Sequence, residues 1–155
     1  MADYVYSKPT PEDMKEIARM MRAEDRRELV GAIGPNIEKE TLYCLEASEC
    51  AYVCKLDGVP LAAFGVVRKS PFEKIGVIWM LATTETAKHK IYTGKKTREG
   101  IRAFLQDWDF LYNYVDVENK RTIAWLKWIG AKIYPPAPYG FYGNLYHKFT
   151  FGEDD

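Results

Sequence analysis

The sequence predicts an α/β fold of the α+β type, a mixed sheet of six or seven strands with helices on both faces. Three observations lead there. Two apolar strands, IGVIWMLAT (75–83) and FLYNYVDV (110–117), are separated by a helical stretch; a strand–helix–strand unit needs a crossover, so these strands lie parallel. AYVCKLDGVPLAAFGVVRK, before them, is a hairpin around Asp57-Gly58 and so antiparallel. No repeat, linker or shift in composition divides the 155 residues, so one domain spans 1–155.

In chain order, DYVYSK (3–8) alternates as a short strand. Thr10 then caps a helix, with Pro11 at its first position and Glu12 and Asp13 at the positive end of its dipole. Met14, Ile17, Ala18 and Met21 recur at helical spacing. AEDRRELVGAIG is a second helix, ended by Gly31, Gly34 and Pro35, and 37–49 leans to a third. Pro60 puts the second hairpin strand at an edge or a bulge. The continuous apolar run 75–83 suits a strand buried on both faces. TETAKHKIYTGK is a polar connection, and KKTREGIRAFLQDWD the helix after it. KRTIAWLKWIG is a helix closed by Gly130. A strand, a Pro/Gly/Tyr-rich loop and a last strand from about Leu145 to Phe151 complete the sheet.

Apolar residues make up 47% of the chain and charged residues 28%, a globular rather than disordered balance. Lys plus Arg equals Asp plus Glu at 22 each, so net charge offers no drive toward nucleic acid or an anionic membrane. A basic run with Tyr92 inside it, KHKIYTGKKTR, is the one local feature suited to single strands. Cys44, Cys50 and Cys54 form no C-x-x-C, and His89 and His147 lie far off, so the thiols read as reduced and no metal site is expected. The N-terminal residues carry no signal-peptide pattern. No apolar run reaches the about 18 residues of a membrane helix. A cytoplasmic protein without membrane contact is expected. Hydrolase, zinc-protease and Walker-loop motifs are absent.

The motif carrying most information is VENKRTIAWLKWIGAKI (117–133): a strand end, an asparagine, a short helix, a glycine, then another strand. Its spacing from Asn119 to Gly130, with the element order above, resembles the GCN5-related N-acetyltransferase (GNAT) superfamily, whose pattern is N-x-x-A-x-x-x-Y-x-x-x-G-F. Thr122 stands at the small position, Leu126 at the tyrosine and Ala131 at the aromatic. The GVIWMLATTE strand and the LYNYVDVENKRTIAWLKWIGAKI block are also similar to small GNAT-like proteins of tailed bacteriophages, some acetyltransferases and others internal virion proteins. That likeness implies host cytoplasm or virion as the location.

The resemblance implies acetyl-CoA as cosubstrate, an amine on a small molecule or protein as acceptor, and a gap between two splayed parallel strands as the site. It implies backbone pairing of pantetheine with Met80, Leu81 and Ala82, and pyrophosphate binding where the next helix opens. IYTGKK (91–96) is the nearest match to that loop, with Gly94 at its first glycine and Lys96 where a small residue is usual; Lys95, Lys96 and Arg98 supply charge. The same run also reads as a solvated first helical turn. Transfer to an amine needs a base and an acid. Glu85 is the base candidate or a surface carboxylate. Tyr112 and Tyr114 are acid candidates or packing residues. Asn119 either binds pantetheine or caps its helix. The departures at Lys96 and Leu126, with exposed-looking aromatics in the Trp125/Trp128 helix and the PPAPYGFYGN loop, support a second reading: a catalytically silent GNAT-fold protein that binds a phage or host protein.

Overall fold

The computed structural model describes residues 4–152. Strand β1 (Tyr4–Ser7) is shorter than expected at Lys8, and Asp3 lies outside the described residues. Helix α1 (Pro11–Met20) starts on a reciprocal cap: Asp13 N–H donates to Thr10 Oγ1 at 3.1 Å and Thr10 N–H to Asp13 Oδ2 at 3.0 Å. Helices α2 (Ala23–Ile33) and α3 (Ile37–Ala47) follow.

Between β2 (Cys50–Leu56) and β3 (Val59–Arg68), Asp57 and Gly58 take φ of 51° and 82°. Two positive φ values make the tight turn that matches strand twist. Of the edge or bulge expected at Pro60 the structure shows the bulge: Lys55 pairs with Pro60 and Cys54 with Ala62. Strand β4 (Ile75–Ala82) leads through a 3-10 turn (Thr84–His89) into α4 (Lys90–Asp107), then β5 (Phe110–Asp116), α5 (Lys120–Trp128), β6 (Lys132–Ile133), β7 (Ala137–Tyr139) and β8 (Asn144–Gly152).

The strands form one sheet in the order β1-β2-β3-β4-β5-β8-β6, with β7 paired to β8. Only β4 and β5 run parallel among these pairs. The eighth strand, β7, lies in the proline-rich segment that sequence propensity marks as loop. Leu111, Val115, Leu126 and Phe149 build the core under α4 and α5, while Met14, Ile17, Val53, Trp79 and Leu81 build it under α1 and α3.

Two further boundaries depart from expectation. Helix α4 opens at Lys90, five residues before Lys95, so Gly94, Lys95, Lys96 and Arg98 lie inside it rather than at its start. Tertiary contacts pull the first turns into the helix: Tyr92 stacks on Tyr4 with centroids 3.6 Å apart, and Gly94 lies under the Trp128 ring. Gly31 is likewise interior to α2, which ends at Gly34 with φ 121°.

Gly31 is there for packing. A methyl group on it would overlap the Tyr146 hydroxyl, which donates to Glu28 O at 2.6 Å. Gly31→Ala gains about 1 kcal/mol in helix propensity. Against that stand overpacking of about 1–3 kcal/mol and a hydrogen bond worth about 1 kcal/mol. The expected result is a net loss of about 1–3 kcal/mol, read as a lower urea midpoint at constant m. An unchanged or higher midpoint would show that Tyr146 moves aside freely.

Candidate active site

Strands β4 and β5 pair only at Ile75–Phe110, Gly76–Leu111 and Val77–Tyr112. Beyond that root they part. Asn113 Nδ2 donates to Ile78 O at 2.6 Å across the gap, a side-chain tether where the next backbone bond would lie. A cleft of about 320 Å³ opens above it.

Strand alternation decides which backbone groups face this cleft. Ile78 O points across the gap. Thr83 N–H, five residues on, donates to Leu61 O of β3 at 2.9 Å. Ile78, Met80 and Ala82 thus turn their backbone toward β5, whereas Leu81 spends its own on β3, paired with Ala63. Of the three expected partners for an extended ligand, Met80 and Ala82 line the cleft and Leu81 does not.

Helix α2 supplies the acidic end. Arg22, Asp25 and Glu28 line the cleft. Arg22 grips Asp25 with two bonds of 2.8 and 2.9 Å and reaches Thr122 Oγ1 at 3.2 Å. Glu28 Oε1 accepts from Asp116 N–H at 2.9 Å, and Asn119 Nδ2 donates to Asp25 Oδ1 at 3.3 Å and Glu28 Oε1 at 3.4 Å. Burial, reinforced by the nearby Asp25 and Asp116 charges, pushes the Glu28 carboxyl up to about 7, against the pull of the Asp116 N–H and Asn119 bonds. Asp116 itself is held by Arg27 at 3.1 Å.

Of the two roles expected for Asn119, capping α5 is not the one found. It is the N-cap residue of α5, yet its side chain makes no capping bond. It is 1% exposed and turned to the α2 carboxylates, and its Oδ1 is buried without a partner among the described residues. The role visible here is positioning Asp25 and Glu28.

The other expected site residues divide. Tyr114 lines the cleft and stacks on Tyr139 with centroids 3.7 Å apart. Tyr112 lines a separate open groove with Lys69 and Lys148, and burial first of all raises its phenol. Glu85 pairs with Lys88 at 3.1 Å and is not in the cleft wall. Nor are Gly94, Lys95, Lys96 and Arg98. Lys96 pairs with Glu99 at 3.3 Å. The Arg98 guanidinium lies 3.9 Å over the Trp128 ring and donates to Trp128 O. The cations in the cleft wall are Arg22, Lys90 and Arg121, with Thr86 from the turn before α4. His89 bonds the Tyr4 hydroxyl through Nδ1 at 3.0 Å. Among the described residues, no group of three or more His, Cys, Asp and Glu side chains is placed to hold a metal, and no helix is long and apolar enough to cross a membrane.

Sequence reasoning missed Glu28, Asp25, Asn113, Lys90 and Arg121. In AEDRRELVGAI the acids and arginines alternate as on a solvated face, and nothing local marks Glu28 as buried. Asn113 left one signal, a lone amide inside an apolar strand, where a buried polar group needs a partner.

No protein-family model matches the chain, and no curated protein matches it at the sequence level. Its structure does have clear likenesses. It superposes on spermidine N-acetyltransferase of Vibrio cholerae, solved in complex with CoA and spermine, with a TM-score of 0.69 and 11% identity, over 96% of this chain and 94% of the other. The ribosomal-protein-alanine N-acetyltransferase of Brucella melitensis gives 0.69 and 12% identity over 96% and 99%. A GNAT-family acetyltransferase of Streptococcus pneumoniae gives 0.66 and 10% over 96% and 98%. At such identities the likeness speaks for architecture, and it does so over nearly the whole length of each chain: this protein has the fold of the GNAT acetyltransferases.

Proposed function

We propose that the protein is an acyl-CoA-dependent N-acyltransferase of the acetyltransferase type, acting on an amine. The observation that carries this reading is the β4–β5 splay with the Glu28 carboxylate at its acidic end. Met80 and Ala82 offer unpaired backbone to an extended pantetheine chain. Lys90 and Arg121 offer positive charge to phosphates. These groups fit coenzyme A better than Lys95, Lys96 and Arg98, which lie off the cleft.

The bound thioester supplies an electrophilic acyl carbon. Glu28 takes a proton from the ammonium, freeing the nitrogen lone pair to bond that carbon as the carbon–sulfur bond breaks. Tyr114 gives a proton to the departing sulfur, and the second proton that the nitrogen sheds as the amide forms returns to Tyr114 through solvent. A base poised near neutrality suits this step. Asp25 and Asp116 are paired with Arg22 and Arg27, so Glu28 is the carboxylate left to attract a cationic acceptor. The acceptor class follows from that charge, and the polyamine substrates of the Vibrio enzyme belong to the same class.

Titration calorimetry with CoA tests the donor half. Micromolar binding is expected, weakened at least tenfold by Lys90→Glu or Arg121→Glu and unaffected by Lys96→Glu. Loss on Lys96→Glu alone would return the phosphates to the 91–96 segment. No binding to the folded protein would leave the fold serving a silent, protein-binding role.

A further inference from the structure

A second cavity of about 90 Å³ lies between α4 and the sheet. It shares Ile78, Met80, Trp125 and Phe149 with the cleft, so the two spaces have a common wall at the splay. From there it runs beneath α4 past Ile101 and Phe104. At its β1–β2 side stand Tyr6 and Tyr92, whose hydroxyls share a hydrogen bond of 2.9 Å. The lining is aliphatic and aromatic over most of its length, with Thr93, Thr97 and Lys96 from α4 as the polar exceptions.

An acetyl group has no use for such a space. Interiors are close-packed, and an apolar cavity this large that stays dry forfeits dispersion contacts unless something fills it. Its position also fits a donor. The thioester of an extended ligand held by Met80 and Ala82 lies at the wall the two spaces share. Resting on the acyl-transfer reading above, we infer that the donor carries a medium-length acyl chain, of about six carbons, which passes from the splay into this cavity beneath α4. The volume sets the length: a cavity of about 90 Å³ holds several methylenes, and it does not hold a long fatty chain.

Gly100 provides the means to test it. It lies in the cavity wall inside α4, and a methyl group added there meets no atom within 4 Å. A leucine at this helical position fills the space and raises helix propensity, so Gly100→Leu is expected to fold at least as stably as the parent.

CoA, acetyl-CoA and hexanoyl-CoA are titrated calorimetrically into the full chain and into Gly100→Leu, with thermal melts confirming the fold of both. Each added methylene that leaves water is worth about fourfold in affinity. Hexanoyl-CoA is therefore expected to bind at least about tenfold more tightly than acetyl-CoA, and Gly100→Leu to bring it down to the acetyl-CoA level. Equal affinities for the two thioesters in the parent protein would overturn the inference while leaving the donor site intact. A hexanoyl preference that survives Gly100→Leu would overturn it too, by placing the chain elsewhere. Failure of all three ligands to bind would overturn both the inference and the reading it rests on.

Discussion

Glu28→Gln is expected to lower kcat for amine acylation by about 10²–10⁴ while leaving CoA affinity unchanged. The amide keeps the shape and the bond from Asp116 N–H, and it cannot take a proton. The pH profile separates this from a structural defect. In the free protein Glu28 must be ionised to act, so kcat/KM should rise with pH through about 7, where burial has placed its carboxyl. That limb should vanish in the glutamine variant. In the ternary complex the bound ammonium favours the carboxylate, so the same limb in kcat should lie at lower pH. An unchanged rate in Glu28→Gln, measured with a saturating acceptor, would remove Glu28 from the chemistry and send the search for a base to Asp25.

Stability should move the other way. The Glu28 carboxyl titrates near 4.5 when unfolded and near 7 when folded. Between those values the native state binds more protons than the unfolded chain, so stability falls as pH rises through this window and levels off above it. The shift corresponds to about 3 kcal/mol at pH 8, held against the protein by its own site. Glu28→Gln should therefore match the parent near pH 4 and melt higher near pH 8. A variant that is more stable and inactive is the signature of a strained functional group, and simple misfolding would not produce it.

The fold was legible where sequence rules act locally. Thr10 announces a helix cap and Asp57-Gly58 a tight hairpin, and both are found; of the edge or bulge that Pro60 allows, the bulge is found. The parallel pairing of β4 and β5 followed from the crossover alone. The opening of α4 was not legible. Lys88 and Lys90 flank a helix start with no side-chain cap, the wrong charge for that end of the dipole. The start is set instead by Tyr4 stacking on Tyr92 and by Trp128 closing over Gly94, partners distant in sequence. One displaced boundary puts the expected phosphate residues Gly94, Lys95, Lys96 and Arg98 inside α4 instead of at its opening. Glu28 was illegible for a related reason. Its burial comes from Asp116, Asn119 and Tyr146, roughly 90 or more residues away along the chain.

Asn119→Asp is the substitution expected to harm stability most. It changes one atom's chemistry at a site that is 1% exposed. The Nδ2 group, now donating toward Asp25 and Glu28 at 3.3 and 3.4 Å, would become an oxygen facing two others. Three carboxylates would then share one desolvated space with Arg22 as the near cation, and an unpaired buried charge costs about 3–5 kcal/mol. The new carboxyl escapes by staying protonated, which raises its folded pKa above the unfolded value of about 3.9. The same linkage sign then applies: the loss should be small near pH 4, grow as pH rises through the raised folded pKa, and be full near pH 8. Urea melts at the two pH values measure it. While protonated, the introduced carboxyl still donates one bond to Glu28, so the parent's low-pH stability is expected to be largely kept. A deficit of equal size at both pH values would mean that Asn119 contributes by packing alone, and that the carboxylates of α2 do not depend on its amide for their placement.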